Sequence, residues 1–335
     1  MRKIVTKVVV AAGLLCTGKV VAQSVPVEDF GHLLNDALFF SDKYVTPATD
    51  AAIYQSVSGW VNSNKNTDLW DVSFGLHTNI FFTPKSDRTL TIYNSDFTFF
   101  QLEQGTQATV PTALGDKKQV YLTGMLGDDE VRLETPQGIN METVAYPYLQ
   151  GSLGLGFGTA LVIKYSPEVK LKKSKYQVYG LGLQHSISQY IKPLKNRNIY
   201  LSLLAAFSKE DVWFNFLDVQ TDYGTLGISQ INGLVDTWQF QLTASKVYGN
   251  WEPLATFMVT TSEVKYKVGG ERGSIEDVIP VQQVVNDGLK EIYKTRVNYI
   301  GEAGVTFNKG NFNVQGILAF GKFVNTNVSV HYLIN

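Results

Sequence analysis

The sequence predicts an all-β fold: a transmembrane antiparallel β-barrel of about 12–14 strands with an N-terminal helical plug or cap. Three observations predict it. The N-terminus reads as an export signal. Segment after segment alternates with a period of two. The polar faces of those segments are too long for a dry core. The strand from Trp70 shows the alternation: Trp70, Val72, Phe74, Leu76 and Ile80 face one way, and Asp71, Ser73, Gly75, His77 and Asn79 the other. In lipid, only a closed barrel hides so many strand edges.

Residues 1–22 read as the signal peptide. Arg2, Lys3 and Lys7 form its charged start, Val8 to Leu15 its apolar core, and Val20-Val21-Ala22 a small-residue cleavage site. Leu15 stands where a lipoprotein signal needs a small residue, so Cys16 is not read as a lipid anchor. Cys16 is the only cysteine, and cleavage leaves no thiol for a disulfide or a metal. Cleavage also removes four basic residues and no acid, taking the formal charge from −1 to −5. That balance argues against a nucleic-acid partner. The generous aromatic count, Tyr 17 and Phe 19, suits the girdles of a barrel and equally suits a soluble β-sandwich.

Residues 23–66 read as the plug or periplasmic segment and 67–335 as the barrel. Phe30, Leu33, Leu34, Ala37 and Leu38 fall on one helical stripe between Val27 and Lys43. Pro47 is expected to end or interrupt that helix, with a second short helix from Ala48 to Val61. After Thr67 the strands begin. Arg88 to Gln101 is expected to pair with the first strand across Pro84-Lys85-Ser86-Asp87. Gln119 to Gly124 and Glu130 to Glu134 form a hairpin around Gly127-Asp128-Asp129. The uncharged run Thr143 to Ile163 is long enough for a membrane helix, but four glycines and its alternation make it a strand continuing past a bend.

Downstream, Glu168 to Lys175 is a charged turn, and His185 to Ile191 a helical insert. Asn198 to Ser208, Val235 to Lys246 and Asn250 to Lys267 are strands. Gly269 to Ile292 is a long loop whose Val278, Val281, Val284, Val285, Leu289 and Ile292 suggest a helix needing a partner surface or a barrel mouth. Arg296 to Phe307, Asn311 to Phe323 and Asn325 to Leu333 close the chain, the first pair joined through Asn308-Lys309-Gly310.

Two stretches carry a resemblance. Tyr44 to Pro47, Gly59-Trp60-Val61-Asn62-Ser63 and Trp70-Asp71-Val72 resemble the start of a Bacteroidota outer-membrane family with no assigned function, and Tyr179 to Ile187 resembles a second part of it. The plan of a helical segment before a mid-sized barrel is similar to the long-chain fatty-acid transporter (FadL-like) superfamily. That similarity implies a fourteen-strand barrel and passage of hydrophobic molecules. The superfamily's N-terminal hatch motif is absent from Gln23 to Asn66.

No enzyme constellation emerges. His32, His77, His185 and His331 have no metal spacing, although His77 and His331 fall on lumen-side faces. His185-Ser186 is adjacent in sequence, and neighbours on a strand face opposite ways. Asp128, Asp129 and Glu130 read as a turn. No cofactor-binding, catalytic or metal residue is predicted. Gln150, Ser152, Gln239, Gln241 and Thr243 are the candidate lumen-lining residues. The leading expectation is a passive channel or transporter in the cell outer membrane for small hydrophobic solutes, gated by Val27 to Asn62. Its partners would be outer-membrane lipid and those solutes. The alternatives are a non-conducting accessory subunit bound to another outer-membrane protein, an outer-membrane hydrolase, and a soluble secreted β-protein.

Overall fold

The computed structural model describes residues 27–63, 67–171, 174–215, 220–221, 224–225, 227–272 and 280–334. The expected signal peptide lies outside them. Ten strands close into one antiparallel barrel: β1 (Val72–Phe82), β7 (Thr143–Gly156), β8 (Thr159–Leu171), β9 (Ser174–Ser186), β10 (Ile199–Asn215), β13 (Gln230–Lys246), β14 (Trp251–Gly269), β15 (Lys294–Lys309), β16 (Phe312–Phe320) and β17 (Val324–Ile334). Each barrel strand pairs with the next, and β1 pairs with both β7 and β17; between β10 and β13 the two-residue strands β11 (Gln220–Thr221) and β12 (Gly224–Thr225) pair with each other outside the wall.

The expected strand count of about 12–14 is corrected to ten. The missing strands lie in an insert between β1 and β7. There β2 (Thr89–Tyr93) pairs with β4 (Gln107–Pro111), and β5 (Tyr121–Leu126) pairs with both β3 (Gln101–Leu102) and β6 (Asp129–Glu134). Arg88 to Gln101 therefore does not pair with the first strand. The anticipated hairpin of β5 and β6 exists, but outside the wall. Length separates the two groups: the insert strands are too short to span a bilayer, which takes about 9–11 residues.

Thr143 to Ile163 is two strands, β7 and β8, not one. Phe157 and Gly158 turn it, with φ of 53° and 69°. Two successive positive φ angles make the hairpin turn whose twist matches its strands. A phenylalanine in that conformation is rare, which hid the turn. The expected helical insert at His185 to Ile191 is only a tight turn at Ser188–Tyr190, followed by the single turn α2 (Lys192–Lys195).

The two ends of the barrel differ. Phe157-Gly158, residues 247–250 and residues 310–311 are short turns at one end. The insert and the loop carrying α3 (Val281–Leu289) stand at the other. Helix α1 (Val27–Val57) enters at the long-loop end and runs down the lumen. Residues 58–63 continue to the short-turn end, where Ser63 meets Gln184 and Glu252 before β1 begins. Pro47 lies inside this single helix instead of ending it. A proline ring costs an exposed helix roughly 3 kcal/mol, but both halves of α1 are buried in one tube. Ala48, Ala51 and Ala52 keep the helix slim enough for it.

The wall is inverted relative to a soluble barrel. Leu183, Leu203, Phe240, Leu242, Val328 and Val330 are exposed outside, whereas Gln239, Gln241, Thr243, Asn327 and Ser329 are buried inside. Aromatic pairs Trp251–Phe307 and Phe312–Tyr332 ring the short-turn end. Toward the long loops the outer face changes to charge: Lys265 pairs with Asp236 and Glu263, both at 2.9 Å. Between Trp238 and Lys246 the tilted wall rises roughly 20 Å, close to the apolar band of a membrane barrel.

Gly180 tests how closely the helix tail is fitted. A Cβ there would stand 2.7 Å from the Phe207 carbonyl oxygen and 2.9 Å from Trp60. Gly180→Val is expected to cost about 1–3 kcal/mol and to lower the temperature at which the folded band disappears on unheated gels. Gly316→Val, facing open space, should leave that temperature unchanged.

Candidate functional site

A helix leaves its last four carbonyls without intrahelical partners. Those of α1 end in the lumen, out of reach of bulk water, and the barrel wall supplies the donors. Asn325 Nδ2 donates to the Tyr54 carbonyl (3.1 Å), Asn79 Nδ2 to Gln55 (2.7 Å) and Gln239 Nε2 to Val57 (3.1 Å). The pattern continues along the extended tail. Gln150 Nε2 donates to Trp60 (3.0 Å), Gln315 Nε2 to Asn62 (2.9 Å) and Gln184 Nε2 to Ser63 (2.9 Å).

Lys164 is the most heavily engaged wall residue. Its Nζ donates to the Ser56 and Ser58 carbonyls at 2.8 Å each, and lies 4.6 Å from the ring centroids of Trp60 and Tyr148. Ser58 in turn donates its hydroxyl to Glu302 at 2.7 Å. Lys164 on β8 and Glu302 on β15 are five strands apart in either direction, so Ser58 forms a crossbar between opposite walls. Gly59, at φ 73°, makes the left-handed turn that ends the helix there. Val57, Ser58 and Trp60 are each at most 1% exposed, so plug and wall meet with no solvent gap at this level.

The five residues expected to line the lumen all lie on the inner wall, in two groups. Gln239 donates to Gln241 (2.6 Å), Gln241 to Thr243 (2.9 Å), and Thr243 meets Thr256 (3.0 Å), forming a ladder on β13 and β14. Gln150 and Ser152 lie on β7, four strands away, where Ser152 meets Ser73 at 2.6 Å. The barrel does not bring the two groups into one site. The sequence reading assigned no role to Lys164 or Glu302. For Lys164 the signal was a charge beside the uncharged inward residues Ala160 and Val162; Glu302 shares its inward face with Lys294 and Arg296, so alternation did not single it out.

The long-loop half of α1 is held differently. Asp36 accepts backbone N–H bonds from Thr98, Phe99 and Phe100, the Phe99 bond being 2.6 Å. Asp42 pairs with Lys294 and Asp50 with Lys322, the latter at 2.6 Å. Asp87, on the insert, also feels this cluster. Burial raises its carboxyl above the ordinary value, Lys322 opposes the rise and Asp50 adds to it.

His77 and His331 do come together, edge to face with centroids 4.5 Å apart, and His77 stacks on Tyr148. No group of three candidate metal ligands occurs among the described residues. His185 faces outward and bonds Thr159 at 2.8 Å, while Ser186 faces inward to Ser188, so the adjacent pair is not a catalytic one.

Cavities flank the plug at several places, and two of them lie at opposite ends of the lumen. One of about 290 Å³ opens at the short-turn end and is lined mainly by amides and hydroxyls. The other, about 100 Å³, lies at the long-loop end between α1, the insert and α3. Leu33, Leu34, Phe40, Phe97, Phe100 and Val285 give it an apolar lining. Among the described residues, Asp36 and Glu134 are its only charged groups.

A model of one sequence family matches residues 1–334. The chain belongs to DUF6588, a family of unknown function. No curated protein matches the sequence. Among solved structures, the chain is similar to Ail, the attachment invasion locus protein of Yersinia pestis. Identity is 7%, coverage 79% of this chain and 99% of that one, and the TM-score 0.28. A Pseudomonas aeruginosa FadL homologue is 9% identical, with 76% of this chain and 61% of that chain covered and a TM-score of 0.31. The translocator domain of the Neisseria meningitidis autotransporter NalP is 8% identical over 88% of this chain and 99% of its own, with a TM-score of 0.33. At these scores none of the three bears on what a DUF6588 chain does.

The crossbar yields a contrast. Lys164→Met leaves two buried carbonyls without their charged donor and should cost about 3–5 kcal/mol in urea unfolding. Glu302→Gln keeps an acceptor for Ser58 and should cost much less.

Proposed function

We propose that this protein is a barrel of a Gram-negative outer membrane that admits small, neutral, hydrophobic solutes, with α1 as its gate. The exposed apolar band and the polar interior support the membrane setting. The single observation that carries the solute class is the apolar cavity at the long-loop end. Among the described residues, no lysine, arginine or histidine lines it, while Asp36 and Glu134 do. A fatty-acid anion would meet like charge and no cation, so an uncharged solute fits better than the cargo implied by the fatty-acid transporter resemblance.

Long loops face outward in such barrels, which sets the cavity on the cell surface. The solute binds beside the part of the plug held by ion pairs and caps. Release of that half opens the way down to the Lys164 layer, where the solute must leave the axis or the tail must unseat. The α3 stripe of Val281, Val285 and Leu289 is buried against the barrel mouth, so it gives no reason for an accessory partner.

The test is uptake of a neutral naphthalene-class probe, against its carboxylate analogue, into liposomes with a lipopolysaccharide outer leaflet. The protein should admit the neutral probe, and Ala37→Phe, which fills the cavity, should stop it. Equal rates with and without protein would overturn the reading. In planar bilayers the full chain should be silent, and deletion of Val27 to Asn62 should give conductance.

Orientation has its own measurement, because Cys16 is the chain's only cysteine. In intact cells an impermeant maleimide should label Glu28→Cys. Lys309→Cys, at a short turn, should react only after the membrane is permeabilised.

A further inference from the structure

The connections at the short-turn end are not alike. Residues 157–158, 247–250 and 310–311 only reverse the chain, whereas residues 187–198, between β9 and β10, build a foot. Consecutive turns fix its shape. Tyr190 N–H donates to the Ile187 carbonyl (3.2 Å), Leu194 N–H to Ile191 (3.0 Å) and Arg197 N–H to Leu194 (3.0 Å). Asn198, at φ 56°, then accepts the Val247 N–H at 3.0 Å, which ties the foot to the next turn along the wall. Arg197 and Lys246 each adjoin a partner in that bond, so the two cations start from neighbouring backbone. Lys192, in α2, is exposed on the same foot, as is Arg197. Among the described residues, no ion pair uses Lys192, Arg197 or Lys246. The described acids of this end stand elsewhere: Asp68 and Asp71 precede β1, and Glu252 faces inward to Ser245 at 2.7 Å.

Apolar surface continues straight into these cations. Tyr190, 68% exposed, lies against the outer wall with its ring centroid 5.7 Å from that of the outward-facing His185. Ile191 and Tyr248 are exposed as well. Lys246 stands on the outward face of β13, in line with Trp238, Phe240 and Leu242, and its Nζ lies 4.7 Å from the Tyr248 ring centroid. A lysine at the end of a lipid-facing column reaches the headgroups, while the column itself meets acyl chains. The anion at headgroup depth is a phosphate diester. A zwitterionic lipid brings its own ammonium against the three cations, and an anionic lipid does not. Basic residues bordering an apolar face therefore favour anionic lipid. With the long loops outward, this end lies in the inner, phospholipid leaflet.

We propose that the foot and Lys246 form a docking surface for an anionic glycerophospholipid. Its phosphate meets Lys192, Arg197 and Lys246, and its chains lie along the β13 column. The inference rests on the membrane placement and orientation proposed above. Full-length protein in detergent is titrated with phosphatidylglycerol and with phosphatidylethanolamine of the same chains, and retained lipid is counted by native mass spectrometry. Phosphatidylglycerol should be held about tenfold more tightly or better, and the preference should fade at high salt. Lys192→Gln, Arg197→Gln and Lys246→Gln should each cut that preference about threefold, and the triple variant should abolish it. Lys309→Gln, at the β15–β16 turn, should leave it unchanged. Equal retention of the two lipids would overturn the proposal. So would a preference that survives in all three single variants and in a triple variant whose folded gel band persists. Displacement of the lipid by an equal concentration of glycerol 3-phosphate, which has the charge without the chains, would also overturn it. Protein that inserts into liposomes but shows no lipid preference loses this surface alone, whereas protein that fails to insert loses the membrane placement itself.

Discussion

The structure depends on one constraint: the C-terminal carbonyls of a helix buried in a tube must find donors. Here they find them in the wall. Asn79, Gln150, Lys164, Gln184, Gln239, Gln315 and Asn325 each reach a carbonyl between Tyr54 and Ser63, and they come from seven different strands. Sliding or rotating the plug by one residue would break all of these bonds together. The lower half of α1 and its tail are therefore seated or unseated as a unit. The polar interior, which in an open porin faces water, here serves as the hydrogen-bonding complement of one helix.

The fit also sets the size of the barrel. Ten strands leave room for a single slim helix, and the close approaches mark where the room ends. A side chain at Gly180, or at Gly233 opposite Thr49, would strike the plug. Above this level the attachment changes character. Asp42–Lys294 and Asp50–Lys322 are partly exposed ion pairs, each worth little in water. The Asp36 cap and the apolar contacts with the insert bear more of the docking. A plug with a strongly bonded base and a more loosely tied top loosens at the top first, as local unfolding generally begins where fewest buried bonds must break together.

Much of this was legible in the sequence, for a physical reason. Side-chain alternation depends only on strand geometry, so the faces of β7 and β13 could be read before any pairing was known. Gln239, Gln241 and Thr243 stood out because such a row suits no dry core. Pairing was less legible. Alternation does not tell a wall strand from a strand of the insert, and Thr89–Tyr93 alternates as a wall strand does. Strand length would have told them apart. Continuity of α1 through Pro47 was hidden because the burial that outweighs the proline comes from distant residues. The Lys164–Ser58–Glu302 crossbar was invisible for the same reason: it joins residues more than a hundred positions apart across the lumen.

The two ends of the plug pose opposite chemical problems. At the long-loop end α1 is apolar, and the insert and α3 fold over it, leaving a greasy cavity beside acidic groups. At the short-turn end the chain is extended, the wall donates to the carbonyls of Trp60, Val61, Asn62 and Ser63, and amides and hydroxyls line a cavity. Between them lies the layer of Lys164, Ser58 and Glu302. A hydrophobic molecule cannot cross that layer without stripping a buried lysine and a buried glutamate of their partners, which is among the costliest changes a protein interior can make. Passage of an apolar solute therefore requires the plug to leave this layer or the solute to leave the axis above it. A seated crossbar and an axial path for an apolar solute exclude each other.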